Sequence, residues 1–295
     1  MAVITNHKRL ISIPNHTVNI TSTTSEYDMT ATDAMTIVNN DIYCICSKHD
    51  GPDEENPKKY PVVMHKFYNY LPEGSSGKTD YSEVTTSAGS KIIARHSNSI
   101  TYHNHLFYMV TRNGTGSENQ VMAFGSDGVI TNKYTYAGGE IATINFYKEV
   151  DGVLYFLIST GGGNEVPYKI VRISGSKLVN TGVFFKVSVP DSEYSIGNDS
   201  YYDLSTKQLY VTKIKKIDDK IIKNNRIYQY DLNRTLSGSS LTFNAKRVLQ
   251  IDSNDNETKF EIEGLAIYDN KKFVCANVVI GNATDGSDGI FKLYV

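Results

Sequence analysis

The chain has 295 residues, 40 % of them hydrophobic, with 21 tyrosines and no tryptophan. That length supports a large core, and the abundance of Tyr, Thr, Val and Ile favours strands over helices. A net charge of −2 and a pI of about 6.4 lack the basic footprint of nucleic-acid binding, and no apolar run approaches the roughly 18 residues of a spanning helix, so no membrane insertion is expected.

In chain order, five short runs open with a polar residue and continue as apolar, β-prone sequence: Asp33–Ile37, His96–Tyr102, Glu140–Ile144, Asn198–Tyr202 and Glu261–Tyr268. They recur every 40 to 65 residues or so, the period of one four-stranded propeller blade. After each comes a polar turn and a second strand: Asp41–Cys46, His105–Val110, Gly152–Ile158, Lys207–Thr212 and Lys271–Ala276. The turns, Asn39–Asn40, His103–Asn104, Asp151–Gly152, Ser205–Thr206 and Asp269–Asn270, are of the composition tight hairpins need. Third strands follow at Val62–Phe67, Asn119–Phe124, Tyr168–Ile173, Asn225–Leu232 and Asp288–Tyr294. The pattern predicts an all-β, five-bladed β-propeller forming one domain over residues 1–295.

The last unit ends on its third strand, so its outer strand must come from elsewhere. Lys8–Ile13 or Thr17–Thr21 can supply it, and the expectation is that the amino terminus, within about residues 8–21, closes the ring and removes two open sheet edges. Cys44, Cys46 and Cys275 all fall in second strands; an odd count at such positions reads as buried thiols, not as a disulfide framework. Met1 to Lys8 has no apolar signal core, which predicts synthesis in the cytoplasm without a signal peptide.

First strands of propeller blades line the central channel, so the polar residues opening them converge at one end of it. Here the ring is Asp33, His96, Asn98, Glu140, Asn198, Asp199, Glu261 and Glu263, the default place for a ligand. Three chemistries fit these residue types. Asp33, Glu140, Asp199 and Glu261 are oxygen ligands suited to calcium, the candidate cofactor. Glu140, Asp199 and Glu261 are the candidate carboxylates for glycoside hydrolysis, which needs one protonated acid and one ionised partner. Recognition of a sugar without turnover, with Tyr102, Tyr201 or Tyr202 as a stacking surface, is the third and the one favoured. Asp285–Gly289 reads as a hairpin turn, because it lacks the closing Glu of a calcium loop. Gly161–Gly163 has no Lys-Ser/Thr behind it and is no phosphate loop. Lys213–Lys223 alternates charge with Ile and predicts an elongated hairpin in the fourth unit.

At His96–Tyr102 and again at Glu261–Tyr268, the chain resembles propeller proteins of Gram-positive bacteria and their phages: the helveticin J-like bacteriocins and the phage proteins labelled teichoic-acid biosynthesis protein C-like. The matching positions are His96, Asn98, Asn198, Asp199, Glu261, Glu263 and Gly264, and the likeness spans about residues 95 to 295. The resemblance implies a non-catalytic binding module in a phage tail or baseplate, or acting outside the cell after lysis. Its partners would be a surface glycan or teichoic-acid-like polymer and other tail proteins. A glycosidase or a bacteriocin-like protein is the alternative.

Overall fold

The structure, a computed structural model, describes residues 2–4, 7–13, 17–19, 26–28, 31–47, 62–71, 78–85, 87–88, 97, 99–111, 120–194, 197, 199–215, 224–233, 236, 241–253, 257–280 and 288–294. Among them there are strands and turns and no helix. Four short strands come first: β1 (Ala2–Ile4), β2 (His7–Ser12), β3 (Thr17–Asn19) and β4 (Glu26–Asp28). The first antiparallel unit is β5 (Ala31–Val38), β6 (Asp41–Ser47), β7 (Val63–Phe67) and β8 (Thr79–Glu83). The second is β9 (Ile100–His103), β10 (Leu106–Thr111), β11 (Gln120–Phe124) and β12 (Ile130–Tyr136). The third is β13 (Thr143–Val150), β14 (Val153–Ser159), β15 (Glu165–Ser174) and β16 (Lys177–Ser188). In the fourth, β17 (Ser200–Asp203), β18 (Gln208–Lys215) and β19 (Asn224–Asp231) are followed by β20 (Leu241–Asn244), which pairs back onto β16, and then by β21 (Arg247–Asp252) as outer strand. The fifth is β22 (Glu257–Tyr268), β23 (Lys271–Ile280) and β24 (Gly289–Leu293), to which β2 adds antiparallel.

Hairpin chemistry sets the register of each unit. Asn104–His105, Asp151–Gly152 and Asp269–Asn270 all have positive φ at both central positions, the two-residue geometry whose twist matches paired strands. The first of these turns sits one residue later than the His103–Asn104 expected, because His103 already pairs with Leu106. In the fourth unit four residues make the turn. There the Asp203 carboxylate accepts from the N–H and hydroxyl groups of Ser205 and Thr206, which holds its pKa below the usual carboxylate range against the opposing effect of burial.

Five apolar clusters hold the units face to face. Tyr43, Ile45 and Met64 pack on Ile100, Phe107 and Met122; Tyr108 and Val110 on Phe156 and Val171; Leu157 and Tyr168 on Leu209 and Tyr228. Tyr210 and Ile227 then meet Ile262 and Val274, and Phe273 and Ile290 meet Met35 and Phe67. Each unit therefore shares a core with the next, and the fifth returns to the first. The strands β5, β9, β13, β17 and β22 touch in the same cyclic order, which makes the fold all-β and propeller-like.

Of the two candidates for closure, Lys8–Ile13 supplies the outer strand, with Ile11 opposite Ile290. The other, Thr17–Thr21, contributes β3, which pairs with β4. Besides the β16–β20 pairing, β1 lies parallel to β21 and β12 is joined to β16 at Thr135 and Tyr136, contacts with no counterpart in the repeat pattern. Cys44, Cys46 and Cys275 are free and buried. The Lys213–Lys223 hairpin is seen as far as Lys215 on β18, and residues 216–223 lie outside the described residues, as do 285–287 of the Asp285–Gly289 turn.

Candidate active site

Asp33 and Glu263 occupy the same position in neighbouring inner strands. Pairing skips from Thr32 to Ala34 along β5 and from Ile262 to Gly264 along β22, so each carboxylic residue is the extra residue of a β-bulge. A bulge turns its side chain out of the alternation of the strand, a recurrent device next to functional sites. Counting back from the hairpin turns places Asn98 and Asn198 at the equivalent position, but these two and His96 lie outside the described residues.

Close approach of β22 to β5 brings the two carboxylic residues together. A Cβ on Gly264 would lie 2.7 Å from the backbone N of Met35 and 2.8 Å from the Cys275 sulfur, so only glycine lets these strands meet at this distance. Asp33 is buried, at 4 % exposure, and Glu263 is half-buried. Burial pushes the Glu263 carboxyl well above the usual range, and the charges of Glu261 and Asp33 push it further. Lys259 and a hydrogen bond from Asn277 pull in the opposite direction without reversing the shift. Lys259 is itself paired with Glu261 at 2.7 Å.

Asn277, on β23, was not singled out by the sequence pattern, yet it organises this corner. Its Nδ2 donates to Glu263 Oε1 at 2.9 Å, while its Oδ1 accepts from the Thr32 N–H and hydroxyl, both at 3.1 Å. With Oε1 fixed as an acceptor, the proton of a neutral Glu263 belongs on Oε2. Asp288, which precedes β24, is buried, with Oδ1 accepting from the Val278 N–H of β23 at 2.9 Å.

The remaining candidates are placed differently. Asp199 is buried, and its Oδ1 and Oδ2 accept from the backbone N–H groups of Ser200 at 2.7 Å and Leu265 at 3.1 Å. It is a clip between β17 and β22, and desolvation raises its pKa to about 7 despite those bonds. Glu140 is exposed, between β12 and β13. Glu261 is engaged with Lys259 and Asp199 with two backbone N–H groups, so the carboxyl that combines a raised pKa with a second carboxylic residue beside it is Glu263. Tyr202 is buried and Tyr201 bonds the Ile267 carbonyl, which leaves neither as an open stacking surface. Among the described residues no cluster of three or more His, Cys, Asp or Glu side chains is arranged to hold a metal ion.

No family model and no curated protein matches the chain. Solved structures do. A glycosyl hydrolase from Bacteroides ovatus is 13 % identical, with 99 % of this chain and 94 % of that one covered at a TM-score of 0.54. A GH43_1 enzyme from Xanthomonas citri, complexed with xylotriose, is 9 % identical, with coverage of 99 % and 90 % and a TM-score of 0.56. This finding corrects the expectation of a non-catalytic phage-tail binding module: the proteins to which the whole chain is similar in fold are described as glycoside hydrolases, and neither speaks to a tail, a baseplate or a bacteriocin.

Proposed function

We propose that the chain is a single-domain, five-bladed β-propeller, closed by β2, that hydrolyses glycosidic bonds at the channel mouth, with a carbohydrate as its partner. The observation that carries this reading is the Asp33–Glu263 pair, two carboxylic residues on matching bulges of adjacent inner strands, with the Glu263 carboxyl pushed well up by burial and by the charges beside it. Glycoside hydrolysis asks for two carboxyl groups with separated proton affinities. Glu263 serves as the general acid, delivering its Oε2 proton to the leaving oxygen, while Asn277 retains Oε1. Asp33 acts from the other side of the scissile bond as base or nucleophile. Lys259 neutralises Glu261 and keeps the local negative charge from growing. Similarity of fold to hydrolases, one of them holding xylotriose, supports the same class of reaction.

The test is release of reducing sugar or of nitrophenol from xylo-oligosaccharides and a panel of aryl glycosides. Turnover by the wild type should fall at least about a hundredfold in Glu263→Gln and in Asp33→Asn, the usual minimum for loss of an acid–base group, with the melting temperature retained. Turnover unchanged in both variants, or none on any wall-derived or plant-derived substrate, would refute the assignment.

A further inference from the structure

We infer that the part of the third sheet that runs past its contact with the fourth unit is a docking surface for an extended acidic polysaccharide. It lies beside the Asp151–Gly152 turn, at the other end of the inner strands from the channel mouth, and does not rest on the hydrolytic reading. Two residues nearer the mouth, Leu157 and Ile170 pair and are buried against Leu209 and Tyr228 of the fourth unit. The next row, Lys148, Tyr155, Arg172 and Val179, pairs residue by residue across β13, β14, β15 and β16. Nothing in the fourth unit covers it: Lys148, Arg172 and Val179 are exposed and Tyr155 is half-buried.

The surface continues around this row. Val150, Ser174 and Lys177 stand two residues further along β13, β15 and β16, on the same face by strand alternation, and all three are exposed. Beyond β16, Tyr136 of β12 pairs with Leu178, and both enter the core shared by the second and third units. Thr135, the partner of Lys177, and Lys133 therefore project on the outer face. Five strands set about 4.8 Å apart make that face roughly 19 Å wide.

Its charge is the reverse of the molecule's. Lys133, Lys148, Arg172 and Lys177 stand on it with no carboxylic residue of the five strands, in a chain whose net charge is −2. Among the described residues none of the four joins an ion pair. Glu149, next to Lys148, points to the other face with its partner Leu154 and bonds His103 at 2.8 Å, and Asp151 belongs to the turn beyond. The Lys148 Nζ lies 5.2 Å from the centre of the Tyr155 ring and 5.7 Å from that of Tyr147, so Tyr155 sits between two cations. Like charges gathered on one face favour an incoming anion. Here they are spread among Val150, Tyr155 and Val179, which suits a chain of sugar rings: ring faces pack on the apolar side chains while carboxylates reach the Lys and Arg heads. A nucleic-acid backbone asks instead for a dense basic patch on a basic domain.

Calorimetric titration at low ionic strength tests this, with polygalacturonate as probe, xylan as the neutral control, and duplex DNA and anionic phospholipid vesicles as other polyanions. Polygalacturonate should bind the wild type and Glu263→Gln alike and weaken as salt rises. Affinity should fall about tenfold or more in the exposed double variant Arg172→Gln/Lys177→Gln, as expected for lost bonds between charged groups. It should stay at the wild-type value in Lys246→Gln/Arg247→Gln, which removes two exposed cations of the fourth unit, and neither variant should change the melting temperature. Absence of polygalacturonate binding, equal binding of xylan, tighter binding of DNA or of vesicles, an affinity untouched by the Arg172 and Lys177 substitutions, or equal losses in both double variants would each overturn the inference. Loss of binding in Glu263→Gln would move the ligand to the channel mouth and overturn it as well.

Discussion

Asn277 has no freedom to reverse its amide. Turning it would face Nδ2 toward the Thr32 N–H, setting donor against donor at a buried backbone group. Its bond favours the ionised form of Glu263. Asn277→Ala should therefore raise the Glu263 pKa further and shift to higher pH the limb on which activity falls as the acid deprotonates. It should also cost about 1–3 kcal/mol of stability through the stranded Thr32 N–H. A pH–rate profile and urea unfolding of the same variant separate the two effects. Lys213 offers a second residue-scale test. It is 1 % exposed, with Nζ donating to the Gly163 carbonyl at 3.3 Å, and desolvation lowers its pKa from 10.5 to about 8. Between those values the unfolded chain holds the proton that the folded chain has lost, so stability rises with pH there, and below pH 8 the cost of burying the charge is present in full. Lys213→Met should remove a slope amounting to roughly 3 kcal/mol, read as the difference between variant and wild-type unfolding free energies across that window.

At the scale of elements, β2 is the strand on which the fifth sheet depends. Its outer position is made possible by Gly289, where a Cβ would lie 2.6 Å from the Ile11 carbonyl oxygen. Ile11 is buried in the cluster shared by the fifth and first units, while Ser12 is exposed. Ile11→Asp should cost about 3 kcal/mol or more, as an unpaired charge in a core does, and Ser12→Asp should stay within about 0.5 kcal/mol. Equal tolerance of both in denaturant unfolding would show that β2 does not hold the sheet. Leu10, the bulged residue of β2, escapes the alternation that would otherwise make it the inverse of Ile11.

Across the whole molecule, side chains stitch the second unit through to the fifth, and the fifth back to the first, near the axis. The Ser99 hydroxyl bonds both the N–H and the carbonyl of Ile144, Asn145 accepts from the Tyr202 N–H, Asp199 takes Leu265, and Asn225 spans the Phe260 carbonyl and the Ile262 N–H. Asn277 makes the return step to Thr32. These bonds satisfy inner-strand backbone that has no neighbouring strand on that side. Because the folded-state pKa of Asp199 is raised to about 7, its contribution is full below pH 4 and lost as pH rises through 7. Unfolding free energies at pH 5 and pH 8 should show the wild type losing more stability than Asp199→Asn over that interval; an equal loss would mean that Asp199 titrates normally.

What the sequence by itself determined was everything governed by short-range chemistry. Alternating runs such as Asp41–Cys46 and Tyr168–Ile173, punctuated by Asn39–Asn40 and Asp269–Asn270, marked the strands and the order of the hairpins to within a residue, because strand period and turn conformation are local properties. Even the position of Glu263 was legible, as a polar residue opening an otherwise apolar inner strand. Tertiary structure alone decided which polar residues do what. Asp199 and Glu263 look alike in the chain, but one meets two backbone N–H groups of its own and the adjoining strand and becomes a clip, while the other meets Asp33, Glu261 and a single amide, and burial with those two charges pushes its pKa well up. Asn277 and the cationic face of the third sheet left no trace in the pattern, since their neighbours lie on other strands, as far off as Thr32 is from Asn277. Proton affinity and hydrogen-bond role are set by burial and by neighbours brought together through folding, and no periodicity along the chain encodes them.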